Sequence, residues 1–228
     1  MNAIAGNIAR IRSGLPAGVT LLAVSKFHPV EMLREAYGAG QRVFGENRVQ
    51  ELLAKQPLLP QDIEWHFIGT LQINKVKYIA PFIHTVQSID SPALLKEVDR
   101  QAARCGRSLR VLLEIHIAAE PSKHGFTPDG CRTLFRNAPA DAYPHVRIGG
   151  LMGMATFTDD REQVRQEFRS LRALFDELKP VAGDAFDTLS MGMSGDYPLA
   201  VEEGSTLIRV GTSVFGGREA GDSGNVSM

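Results

Sequence analysis

The chain has 228 residues, 43% of them hydrophobic, which is enough to bury one sizeable core. Its 25 Lys and Arg balance 26 Asp and Glu to a formal net charge of −1, so no overall field draws it to nucleic acid or to an anionic membrane surface. The two cysteines, Cys105 and Cys131, have no metal-type spacing and suit a reducing compartment, so a cytoplasmic protein is expected.

The N-terminal segment MNAIAGNIARIRSGLP sets Ile4, Ile8, Ile11 and Leu15 at helical spacing, with Arg10 and Arg12 between them. This predicts a helix lying on the domain, not a signal peptide. No stretch reaches the roughly 18 apolar residues that would span a bilayer. Eight β-rich runs follow: TLLAVSK (20–26), RVFGEN (42–47), EWHFIGT (64–70), IHTVQSI (83–89), RVLLEIHIA (110–118), VRIGGLMGM (146–154), DTLSMGM (187–193) and STLIRVG (205–211). A segment able to form a helix comes after each. The plainest are SPALLKEVDRQAARCG and DDREQVRQEFRSLRALFDELKP, with apolar stripes of period 3.6 and a Gly or Pro stop. Eight βα units in this length predict a single α/β domain over residues 1–218, a compact (β/α)8 TIM barrel with an extra N-terminal helix; a doubly wound open sheet is the alternative. No linker-like composition divides the chain, and the small, polar, Gly-rich segment 219–228 reads as a flexible tail.

In such a barrel the C-terminal strand ends carry the chemistry. Strand alternation puts Leu22, Val24 and Lys26 on one face, so an inward-facing first strand aims the Lys26 amine into the mouth, where desolvation makes it a good nucleophile for a carbonyl compound. The structural alternative is a lysine that snorkels to the rim. After the seventh strand Ser194 and Gly195 precede a helical segment, and after the eighth Gly211 and Thr212 form a second small-residue turn. Loops after strands 7 and 8 are the usual phosphate seat of such barrels, and the two turns together read as a phosphate cradle, although singly each fits ordinary turn chemistry. Arg209 interrupts an apolar strand and shares a face with Leu207 and Gly211; it either points into the same mouth or pairs inside with Glu46 or Glu114. An amine, a phosphate cradle and an inward arginine suit a phosphorylated aromatic aldehyde. Pyridoxal 5'-phosphate is the candidate, held as an imine of Lys26 with Arg209 near its ring nitrogen.

The segments AVSKFHP, FGENRVQE, WHFIGTLQINKVK, SKHGF, GLMGM and LSMGMSGDYPLAVEEGSTLIRVGTSVFG, spread from about residue 20 to 218, resemble the pyridoxal phosphate homeostasis protein family of the YggS or PROSC type. The resemblance implies a fold like the barrel domain of alanine racemase, pyridoxal phosphate bound as an imine to Lys26, and control of the free cofactor level without known catalysis. It also implies Arg209 opposite the pyridine nitrogen and Ser194, Gly211 and Thr212 at the phosphate. One departure is visible: the family often carries a second lysine where this chain has His28. An arginine at the ring nitrogen keeps the pyridine unprotonated and weakens carbanion chemistry, and no second domain is expected to complete an active site, so binding and handing over are expected above turnover. The expected partners are the cofactor and apo-enzymes that receive it, with no nucleic acid or membrane, and the chain is expected to be monomeric. A small racemase-like pyridoxal phosphate enzyme and a Schiff-base aldolase are the other classes.

Other constellations are weaker. GMSGD lacks the second glycine of a nucleophile elbow, and the six histidines show no i, i+4 pair, so neither a hydrolase nor a metal site is expected. His66 and His116 read as satisfied core histidines. Asn47 either contacts the cofactor's ring hydroxyl or, as such residues more often do, caps the following helix. Lys75 and Lys77 read as a solvated helix face or a contact for an acidic partner, and Lys123 as a loop cation near the mouth or free in solvent.

Overall fold

The computed structural model describes residues 3–120, 124–137 and 142–217. Lys123 and the 219–228 tail therefore lie outside the described residues. Eight parallel strands close in chain order into a barrel, with β8 back against β1. They are β1 Thr20–Val24, β2 Val43–Glu46, β3 Glu64–Phe67, β4 Thr85–Ile89, β5 Leu109–Ile115, β6 Val146–Gly153, β7 Thr188–Ser190 and β8 Leu207–Val210. The barrel prediction is thus correct and the open sheet is not formed. The predicted runs overshoot at their C-terminal ends, because Lys26, Asn47 and Gly211 lie past the last ladder bonds, where the chain turns towards its helix.

The helices are α1 Ala3–Ser13, α2 Val30–Gly38, α3 Val49–Lys55, α4 Val76–Ile79, α5 Pro92–Arg104, α6 Pro128–Asn137, α7 Arg161–Ala182, α8 Tyr197–Glu202 and α9 Thr212–Phe215. The expected N-terminal helix forms, with Ile4, Ile8 and Ile11 buried, and the Asn7 amide donates to the Val214 carbonyl of α9 (3.1 Å). Ser91 caps α5, and the Asp160 carboxylate caps α7 through the amides of Glu162 and Gln163. Pro180 does not stop α7 as expected. It sits in the last turn, so the hydrogen bond it costs is the only one lost, with just Val181 and Ala182 following before Gly183 ends the helix at φ 84°.

Alternation along the strands divides the apolar residues. Leu21, Ala23, Trp65, Phe67 and Val86 face outward into the main core between sheet and helices, whereas Leu22, Val24 and Leu207 pack inside the barrel with Val43 and Ile68. Gly45 makes this possible, since a Cβ there would stand 2.5 Å from Leu22 Cδ2. The rest of the inner face includes buried polar side chains, His66, Gln87, Glu114, Ser190 and Arg209, whereas the buried Glu46 alternates outward to meet Lys55 of α3.

Candidate functional site at the barrel mouth

β1 ends at Val24, and the Ser25 carbonyl then accepts from His28 N (3.1 Å), which makes Lys26 and Phe27 the corners of a tight turn. Phe27 is the one non-glycine residue with positive φ (65°) among the described residues, a conformation that costs energy and needs outside support. The support is a buried ion cluster. Lys55 Nζ donates to the Ser25 carbonyl, to Glu46 Oε1 and to Glu51 Oε1, each at 2.7 Å, and Glu51 Oε1 also accepts the Phe27 amide at 2.5 Å. The Ser25 hydroxyl donates to the same Glu46 oxygen (2.7 Å). The peptide groups on both sides of Lys26 are therefore tied down, while the side chain itself is half-buried. Burial pushes the Glu46 carboxyl above its ordinary range, and Lys55 and Ser25 pull it back.

Arg209 lies inside the barrel, 4% exposed, and forms no ion pair with Glu46 or Glu114. NH1 donates to the Ser190 carbonyl (2.9 Å) and hydroxyl (2.6 Å), and NH2 to the Gly153 carbonyl (2.9 Å). A guanidinium has five N–H donors, so these three bonds leave two unspent among the described residues. Burial lowers its pKa to about 10, against the opposing pull of Asp196 and Glu114, and it stays charged at neutral pH. Glu114 is pushed up to about 7 by burial, although Arg209 draws it down.

The two small-residue turns flank β8 at the same end of the barrel. The β7 loop runs along β8, where Arg209 N donates to Gly192 O (2.9 Å), and Asp196 Oδ1 accepts from Met193 N, closing the Ser194–Gly195 turn just before α8. Gly211 is the N-cap residue of α9, and Thr212 opens that helix. Among the described residues, no internal hydrogen bond takes up the Ser194, Gly195 and Thr212 amides or the Ser194 and Thr212 hydroxyls. A Cβ at Gly195 would meet nothing within 4 Å, whereas one at Gly211 would stand 3.2 Å from Val24 O and 3.3 Å from Val24 Cβ. Gly211 is therefore needed first for the approach of β8 to β1.

Asn47 does not cap α3: the N-cap residue is Arg48, without a side-chain bond. The Asn47 Oδ1 atom is buried with no hydrogen-bond partner, an acceptor left over at the end of β2. His28 packs its ring on Phe215 of α9, with centroids 4.7 Å apart. Lys75 and Lys77 sit beside the exposed Tyr78 ring, outside the mouth.

Below Arg209 a file of hydrogen bonds descends through the barrel. The Ser190 hydroxyl donates to Gln87 Oε1 (2.7 Å), and Gln87 Nε2 meets His66 Nδ1 (2.7 Å). Contrary to the expectation of a satisfied core histidine, His66 Nε2 is buried without a partner. His116 is satisfied, its Nε2 lying 3.1 Å from Glu120 O. Neither the ion cluster around Ser25 nor this file is visible along the chain, because each draws on separate strands and helices.

A profile of the family described as alanine racemase, N-terminal domain, matches residues 1–219. Alanine racemase of Streptomyces lavendulae, 18% identical, superposes with a TM-score of 0.76 over 94% of this chain and 56% of its own, a likeness of fold alone. The chain is thus a barrel of the alanine racemase N-terminal domain class. The pyridoxal phosphate homeostasis protein of Aquifex aeolicus is 42% identical over 200 residues, 87% of each chain. PipY of Synechococcus elongatus, solved with PLP bound, is 42% identical with a TM-score of 0.84, covering 93% of this chain and all of that one. The chain belongs to the pyridoxal phosphate homeostasis protein family.

Proposed function

We propose that the chain binds pyridoxal 5'-phosphate in the barrel mouth and takes part in setting its free intracellular level, without turnover of its own. The observation that carries this reading is the fixed half-buried turn bearing Lys26 in the same mouth as Arg209, whose two unspent donors suit an acceptor in the barrel. Lys26 holds the aldehyde carbon as an imine, with loss of water. Arg209 donates to the ring nitrogen, Asn47 meets the ring hydroxyl, and the Ser194, Gly195, Gly211 and Thr212 turns take the phosphate. The residues fit the group on chemistry: an amine, a leftover acceptor, a buried guanidinium and uncommitted amides. When bound, the cofactor supplies a reactive aldehyde and an electron-withdrawing ring, and Arg209 restrains the second by keeping the nitrogen unprotonated.

The relatives are named as homeostasis proteins, and PipY has been solved with PLP bound, which supports binding as the role. No helix among the described residues is long and apolar enough to cross a membrane. On this reading residues 1–218 are one cofactor-binding domain with a tail from 219. It works as a cytoplasmic monomer and passes the cofactor to apo-enzymes. A racemase-like enzyme is the second reading, and the fold likeness to alanine racemase is what favours it. The test is absorption of the purified protein before and after borohydride, with peptide mapping of the reduced adduct. The label is expected on Lys26 and is lost in Lys26→Ala; a label retained at the same level in that variant rejects the assignment.

A further inference from the structure

The floor of the barrel, opposite the mouth, gathers three side chains with metal-ligating atoms. Glu64 opens β3, His66 lies two residues further along it, and His84 immediately precedes β4. One ligand atom from each lies within 4.8 Å of the other two. The imidazoles stack with centroids 5.4 Å apart and 8° between planes, and His84 Nε2 stands 3.8 Å from Glu64 Oε2. Each imidazole is oriented from behind through Nδ1, His66 by Gln87 (2.7 Å) and His84 by the Thr85 hydroxyl (2.9 Å). That leaves Nε2 of both rings as the coordinating nitrogen, and Nε2 of the 5%-exposed His66 has no hydrogen-bond partner. A buried ring nitrogen without a partner costs free energy unless something occupies its lone pair or its proton.

We propose that Glu64, His66 and His84 bind one zinc-like divalent d-block cation at the barrel floor. Two imidazoles and a carboxylate are the ligand set of open tetrahedral zinc sites, with water completing the fourth position. Metal–ligand bonds near 2.1 Å place tetrahedral ligand atoms about 3.4 Å apart, so the side chains must close in. Glu64 and His84 have side chains 50% and 46% exposed and can do so without disturbing the core. Burial keeps the His66 imidazole neutral, with a pKa near 3, which is the form a cation needs. Coordination at Nε2 requires the proton on Nδ1; a half-turn of the Gln87 amide presents its oxygen to that proton, as supporting groups do for zinc-bound histidines, and exchanges its bond from the Ser190 hydroxyl for one donated by its NH2 to the Ser190 oxygen. Arg110 is the nearby opposing charge; it is engaged by Asp187 and by the Thr188 hydroxyl, which lessens its effect on a cation. The spacing 64, 66, 84 hides the set in the sequence, since it is completed by the pairing of β3 with β4.

The test is calorimetric titration of the full chain, freed of metal by a chelator, with Zn2+, alongside Glu64→Gln and His84→Ala. One saturable site per chain is expected, weakened at least about tenfold in either variant. Co2+ absorption of the wild type reads the ligand set independently of any variant's folding. A tetrahedral spectrum without a thiolate charge-transfer band is expected, and a thiolate band would move the metal to a cysteine and overturn the proposal. Absence of saturable Zn2+ binding, or equal affinity in folded variants, also overturns it.

Discussion

Lys55 Nζ donates to the carbonyl of Ser25 at 2.7 Å, so a lysine on α3 fixes the backbone from which a different lysine, Lys26, projects. The same ammonium neutralises Glu46, whose side chain is fully buried. Removing it in Lys55→Met leaves a buried carboxylate unpaired, which should cost about 3–5 kcal/mol of stability in urea denaturation. The double variant Lys55→Met/Glu46→Gln should regain part of that loss, because the uncompensated charge is gone. A loss under 1 kcal/mol in the single variant, or no recovery in the double, would show that the cluster does not hold the turn.

The proposed phosphate seat predicts a hierarchy of ligands and variants. Charge-assisted hydrogen bonds contribute roughly 1.5–3 kcal/mol each, so pyridoxal without its phosphate should bind at least about a hundredfold more weakly than the phosphate ester. Thr212→Ala, which keeps the amide, should weaken the ester by about tenfold. Gly195→Val is the cleaner steric probe, because its side chain enters open space, whereas one at Gly211 strikes Val24 and disturbs β1 itself. Titration of apo-protein by fluorescence ranks them; equal affinity for both aldehydes would remove the phosphate from these turns.

Catalysis should stay at the level of the free cofactor. With L-alanine and other common amino acids, racemisation, transamination and decarboxylation are expected to match a solution of pyridoxal phosphate at equal concentration. The reason is the proposed place of the Arg209 guanidinium at the ring nitrogen, where enzymes of this chemistry more often set a carboxylate. Turnover well above that background, abolished by Lys26→Ala, would make the chain an enzyme.

Glu114 gives the protein a pH dependence of unusual sign. Its folded-state pKa of about 7 lies above the ordinary 4.5, so between those values the folded chain holds a proton that the unfolded chain has released. This contribution is therefore greatest below 4.5 and is lost as the pH rises to 7. Glu114→Gln should flatten the decline and be the more stable form above neutrality, as read from denaturation midpoints at stepped pH. Parallel profiles for the two proteins would mean that the carboxyl ionises normally.

Much of this was legible in the chain. Alternation identified all eight strands, and Lys26 and Arg209 stood out because each interrupts an apolar run. The turns at Ser194–Gly195 and Gly211–Thr212 were legible from residue type and from their place after strands 7 and 8. What stayed hidden depends on contacts between distant elements. Asn47 looked like a helix cap until α3 began two residues later, with Arg48 as its cap residue. His66 looked satisfied because one ring nitrogen is, and the state of the other is decided by β4. Pro180 was read as a stop, but the helix runs two residues past it before Gly183 ends it, because one lost bond near the C-terminus is outweighed by the rest of α7.

The closure of β8 onto β1, with Leu22 beside Arg209, orders events during synthesis. The strand leading to Lys26 leaves the ribosome first, and its edge stays unpaired until the last strand arrives. Until then the nascent chain has an amine but neither Arg209 nor the Gly211–Thr212 turn, so it can meet free aldehyde without retaining it. On the proposed site, only a ring completed at both ends holds its ligand. A fragment ending before β8 should be both an open, association-prone sheet and unable to sequester cofactor, which links quality of folding directly to competence.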